Sequence, residues 1–81
     1  MIRFKVNVMQ ELKNKGWTAN RLRNGKQNNE YYLSESTMQN IRSSYNNKDF
    51  ISINTKALNT ICAILHKQPG QLLEYVQDSE G

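Results

Sequence analysis

Leu33-Ser34-Glu35-Ser36-Thr37-Met38-Gln39-Asn40-Ile41-Arg42 reads as the start of a helix with two unlike sides. Ser34 is a hydroxyl N-cap, an acceptor for a first-turn N–H that has no partner inside the helix. Met38 and Ile41, three apart, mark an apolar face, while Glu35, Gln39, Asn40 and Ser43 fall opposite. Small amide and hydroxyl groups on an exposed helix face suit hydrogen bonding to base edges in the DNA major groove. This segment, running to about Ser44, is therefore the candidate recognition helix.

Upstream, Val8, Met9 and Leu12 recur at helical spacing, and Lys13, Lys15 and Gly16 supply the cation-then-glycine pattern of a helix end. Before them Ile2, Phe4 and Val6 alternate with Arg3, Lys5 and Asn7, a period of two that suits a short strand. Thr18 caps a short second helix from Ala19 to about Asn24, with Leu22 inward. Asn24 to Asn29 is polar and turn-forming, hence a loop, and Tyr31, Tyr32 and Leu33 return toward the core. Downstream, Tyr45 to Asp49 reads as a polar loop, Phe50 and Ile51 fold back onto the domain, and Ser52 is the expected cap of a fourth helix. There Leu58, Ile61, Cys62 and Leu65 have the spacing of a helix packed on a core, ending near His66. Pro69 suits the first turn of a fifth helix, expected over Gln71 to Tyr75. The reading is thus all-α: a compact five-helix domain over residues 1–76, with room for a short N-terminal strand, and a mobile acidic tail over 77–81.

The chain has 81 residues, so it forms one small core that removes only about 60 to 65 % of the extended chain's surface from water. Its single cysteine, Cys62, excludes an internal disulfide and a cysteine-based zinc cluster. No apolar run approaches the roughly 18 residues of a membrane span, and no apolar stretch of signal-peptide type opens the chain, so a cytoplasmic location is expected. The formal charge is +4, with a pI near 9.4. Glu74, Asp78 and Glu80 crowd the C-terminus, so the rest is more basic still and favours a polyanionic partner.

Four segments in order resemble the lambda-repressor-like (Cro-repressor) helix-turn-helix family: Leu12…Gly16-Trp17-Thr18, Leu33-Ser34-Glu35-Ser36-Thr37-Met38, Thr55-Lys56-Ala57-Leu58…Ile61-Cys62, and Gln68-Pro69-Gly70-Gln71-Leu72-Leu73-Glu74-Tyr75. The resemblance implies that helix 2 lies across the sugar-phosphate backbone and that helix 3 enters the major groove N-terminus first. Glu35, Ser36, Gln39 and Asn40 then face base edges. Thr18, Arg21, Arg23, Lys26, Ser34, Thr37, Arg42, Ser43 and Lys48 are the candidates for phosphate contacts, which supply salt-dependent affinity without sequence information. For Ser34 and Thr37 local capping is the competing role, and for Glu35 it is a favourable place beside the helix dipole.

The chain departs from the family between Leu22 and Ser34. It carries about five residues more than the family's short turn allows, so a loop replaces the turn. The glutamine common early in helix 2 is here Ala19, and the small residue that lets the two helices approach is here Arg23. An alternative register makes residues 17–22 the reading helix, because Arg21-Leu22-Arg23-Asn24-Gly25-Lys26 resembles the segment just after a recognition helix in this family. It leaves too little chain for two earlier helices.

The expected function is sequence-specific binding of double-stranded DNA by a small repressor-like regulator, of the kind carried by phages and mobile elements. Family analogy implies a homodimer; the alternative is a protein-binding module, such as an antirepressor, on the same scaffold. Catalysis, a cofactor and a metal site are not expected, because His66 and Cys62 stand alone and no phosphate-binding glycine loop or paired-carboxylate site occurs.

Overall fold

The computed structural model describes residues 1–47 and 52–77. Five helices and two short strands succeed one another there: β1 (Ile2–Phe4), α1 (Val8–Asn14), α2 (Ala19–Arg23), α3 (Glu35–Asn46), α4 (Thr55–Leu65), α5 (Pro69–Leu72) and β2 (Leu73–Tyr75). Helix starts are set by side-chain caps. Asn7 Oδ1 accepts from Gln10 N, Thr18 Oγ1 from Arg21 N and Ser34 Oγ from Thr37 N, each satisfying a donor left over by helix geometry.

Three expectations change. The cap of α4 is Asn54, whose Oδ1 accepts from Ala57 N at 2.8 Å; Ser52 instead lends its carbonyl to Asn40 Nδ2. α3 continues two residues past Ser44. The fifth helix covers Pro69–Leu72 rather than Gln71 to Tyr75, because the chain turns extended at Leu73 and pairs antiparallel with β1. Ile2 stands opposite Tyr75, Arg3 opposite Glu74 and Phe4 opposite Leu73. A lone N-terminal strand cannot satisfy its own N–H and C=O groups, and β2 supplies them. Across the pair Arg3 Nε donates to Glu74 Oε2 at 2.7 Å. The domain is therefore helical with a small sheet, not purely α.

The core gathers Phe4, Val8, Leu12, Leu22, Leu33, Met38, Ile41, Ala57, Ile61, Ile64, Leu65 and Leu72 into one apolar cluster. α1 packs against α3 and α4, and β1 lies against α3. Its buried polar member is Ser44, whose Oγ accepts from Phe4 N at 3.4 Å and so joins α3 to β1. The inner face of α4 is Ala57, Ile61, Ile64 and Leu65, a little rotated from the expected stripe, and Leu58 and Cys62 are half-buried at its margin. α4 ends at His66 in the left-handed region, φ 56°, with the Lys67 N–H also turned back onto Cys62 O. No helix among the described residues is long and apolar enough to cross a membrane. Lys48, Asp49, Phe50 and Ile51, and the acidic Asp78 and Glu80, lie outside the described residues.

Ile61 is fully buried at the centre of α4. Ile61→Ala should lower unfolding free energy by about 2–5 kcal/mol, read as a shifted urea midpoint with an unchanged m-value.

Candidate nucleic-acid interface

Fixing Met38, Ile41 and Ser44 inward determines what α3 presents outward, because successive residues advance about 100° around a helix. Ser36, Gln39, Asn40 and Ser43 are exposed, and Glu35 is partly so. The surface is polar, narrow and free of bulk. Its members are engaged within the chain to differing degrees, Ser36 Oγ lying 3.4 Å from Ser34 Oγ. Asn40 Nδ2 donates to Ser52 O at 2.9 Å, which ties the chain entering α4 to the side of α3 and commits one end of that amide. Ser43 Oγ accepts from Asn47 Nδ2 at 3.1 Å. Ser34 and Thr37 are joined locally: Ser34 Oγ donates to Thr37 Oγ1 at 2.8 Å.

Glu35 sits where α2 meets α3. Arg23 Nε donates to its Oε1 at 2.7 Å, and Arg42 Nη1 lies 3.9 Å from its Oε2. Gln39 Nε2 reaches the same Oε2 at 3.5 Å. Arg23, and with it Arg42, holds the Glu35 carboxyl below its ordinary pKa. Arg21 is occupied elsewhere. Its Nε and Nη2 donate to the two oxygens of Glu30 at 3.1 and 3.0 Å, its Nη1 donates to Gly16 O, and its guanidinium lies 3.7 Å over the Trp17 ring. That fork geometry lowers the Glu30 pKa and raises that of Arg21.

The connection from α2 to α3 is built rather than slack. Residues 24–29 form successive turns, Glu30 N–H donates to Gly25 O at 2.8 Å, and Leu33 N–H donates to Leu22 O at 3.2 Å. Leu22 and Leu33 anchor its two ends in the core. Gly25 is required by close approach: a side-chain carbon there would lie 1.9 Å from Tyr31 O. Outside, Tyr31 meets Trp17 edge-on at 5.3 Å between ring centroids, and Lys26 Nζ stands 4.7 Å over the Tyr32 ring.

Seven of the nine expected phosphate-contacting residues divide among three places, Ser43 being on the outer face of α3 and Lys48 outside the described residues. Thr18 and Arg42 share an open cleft of about 540 Å³ with Asn7, Gln10, Lys13 and Asn20, between α1, α2 and α3. Lys26, Ser34 and Thr37 share a groove of about 460 Å³ with Tyr31, Tyr32 and Lys56. Arg21 and Arg23 are held in ion pairs with Glu30 and Glu35. Lys13 and Lys56 are not among the expected phosphate contacts, Lys13 because a cation in a last helical turn reads as dipole compensation. Glu30 as the partner of Arg21, and Tyr31 as that of Trp17, have no signal in residue spacing, because both contacts close across an inserted loop. Among the described residues no group of three or more His, Cys, Asp or Glu could hold a metal ion.

A family model described as Cro/C1-type HTH DNA-binding domain matches residues 7–78, nearly the whole chain. Comparisons with curated proteins and with solved structures return no match.

Two outcomes test this geometry. Gly25→Ala should destabilise the protein by about 1–3 kcal/mol, because the Tyr31 carbonyl must move. The Arg21–Glu30 pair should also make stability pH-dependent. A carboxyl whose folded pKa is lowered contributes stability that is present above its ordinary value, 4.5, and is lost as the pH falls through the lower folded value. Urea midpoints measured from pH 6 downward should fall in that window, and Glu30→Gln should flatten the fall.

Proposed function

Since the chain belongs to the Cro/C1-type helix-turn-helix DNA-binding family, we propose that it is a small sequence-specific regulator of repressor type that reads double-stranded DNA with the exposed face of α3. The observation that carries this reading is that face itself: Ser36, Gln39, Asn40 and Ser43 are exposed on a helix whose other side is locked in the core. Gln39 is able to offer an acceptor and a donor to a base edge, the pairing an amide makes with adenine, and Asn40 retains its Oδ1 as an acceptor. Ser36 supplies a hydroxyl of either sense. Glu35 lies on the same face with its carboxylate taken by Arg23, so the base contacts fall to Ser36, Gln39 and Asn40.

Backbone contacts come from the two basic recesses that flank α3. Thr18 and Arg42 line one with Lys13, and Lys26, Ser34 and Thr37 line the other; Ser43, on the outer face of α3, is kept from the sequence, and Arg23 is held by Glu35. Arg21, stacked on Trp17, acts first as a structural tie between α2 and the inserted loop. Lys48 is retained as a phosphate contact from the sequence alone. In the family's docking geometry two copies of the chain bind half-sites about 34–36 Å apart, so that both α3 helices face successive turns of one groove. The family is a type of non-enzymatic regulator, and no catalytic step enters this reading.

Selection from randomised duplex DNA at two salt concentrations tests it. A DNA reader enriches one site and binds more weakly as salt rises; an antirepressor on the same scaffold enriches none, and that outcome overturns the proposal. Gln39→Ala should cost about 1–3 kcal/mol on the enriched site and leave binding to random duplex unchanged. Lys13→Ala should weaken all sequences alike and reduce the salt slope by about 1.

A further inference from the structure

We infer that Glu35 is an internal counterion that holds Arg23 away from DNA phosphates, and so determines how strongly the protein discriminates its site from bulk DNA. Arg23 places two nitrogens on one oxygen of Glu35, Nε at 2.7 Å and Nη2 at 2.6 Å, from the last turn of α2 to the first residue of α3. Arg42 approaches the second oxygen, as does the Gln39 amide. One carboxylate therefore answers a cation from each helix of the motif and a side chain of the reading face. The Arg23 hydrogen bond lowers its pKa from the ordinary carboxylate value.

The effect on DNA binding depends on what drives each mode. Non-specific affinity comes almost wholly from cations replacing condensed counterions on phosphates, so an arginine held by a carboxylate is subtracted from it. A carboxylate and a phosphate compete for the same guanidinium donors. At the preferred site base contacts from α3 fix the position of the α2–α3 junction, so a freed Arg23 adds less there than in the loosely positioned non-specific mode. Discrimination is achieved by penalising the competitor, not by a new contact to the target. Residue identity agrees in one respect: Arg23 stands where the family carries a small residue, and its length is accommodated because Glu35 draws the guanidinium sideways across the junction.

This inference rests on the DNA-reading function proposed above, and the test separates the two. Salt titrations of random and enriched duplex are compared for the wild type, Glu35→Gln, Glu35→Asp, Arg23→Gln and the double variant of Arg23→Gln with Glu35→Gln, each checked for its fold by circular dichroism. Freeing Arg23 adds about one phosphate contact, so Glu35→Gln should steepen the log–log salt slope on random duplex by about 0.9 and lower the ratio of enriched to random affinity. Glu35→Asp keeps the charge and the favourable helix start but shortens the reach, and should steepen the slope as well. In the Arg23→Gln background the effect of Glu35→Gln should vanish. A Glu35→Asp slope equal to wild type, or an undiminished effect without Arg23, means that Glu35 acts as a bare charge, and overturns the inference while leaving DNA reading intact. A wild-type protein that binds no duplex overturns both.

Discussion

Burial of Met38 and Ile41 is the constraint on which the rest of this structure depends. Both side chains are essentially inaccessible to water, in a cluster shared with α1, α2, α4 and β1. Each such side chain contributes roughly 1.5–3 kcal/mol relative to an exposed one, so rotating α3 about its axis is strongly unfavourable. With rotation fixed, so is the identity of the outward residues. Ser44 extends the same stripe and joins it to the β1 backbone, which locks the far end of α3 to the sheet. The core thus imposes one orientation on the outward face of α3 from behind.

The inserted segment between α2 and α3 is compatible with this rigidity because its ends are both buried leucines. Leu22 and Leu33 close it through the core and through a backbone hydrogen bond between them. Within it, Gly25 permits a backbone contact that no other residue allows, and the Arg21–Glu30 pair with Trp17 and Tyr31 covers the outside. Extra length costs little in closure entropy when its ends are held together anyway. The longer connection thus replaces a tight turn without freeing the helices it joins.

The charged surface is organised by pairing rather than by simple excess of cations. Glu30 takes Arg21, Glu35 takes Arg23 with Arg42 near, and Glu74 takes Arg3. Lys13, Lys26 and Lys56 line the open recesses beside α3. The lysines supply a diffuse attraction for a polyanion, while the arginines, with their planar donor sets, tie elements of the fold to one another. Net charge alone does not distinguish these two populations.

Much of the architecture was legible in the residues. The caps Thr18 and Ser34, the strand-like alternation from Ile2 and the helix of residues 55–65 are local properties, written within one or two turns of chain, and the match over residues 7–78 agrees with the family-like order of segments. What lay beyond reach was whatever depends on partners distant in sequence. The chain from Leu73 to Tyr75 has apolar residues compatible with a helix, and becomes a strand because β1, some seventy residues earlier, offers unpaired backbone groups. Asn54 rather than Ser52 caps α4 because the helix starts at Thr55, which puts the Asn54 Oδ1 beside the Ala57 N–H. Arg21, Arg23 and Glu35 are separate exposed charges in the sequence, and their pairing, Arg21 with Glu30 and Arg23 with Glu35, is set by distances across the α2–α3 junction. Local hydrogen bonding and side-chain periodicity act over a few residues, so sequence determines them; strand pairing and ion pairing between elements are decided when the core brings those elements together.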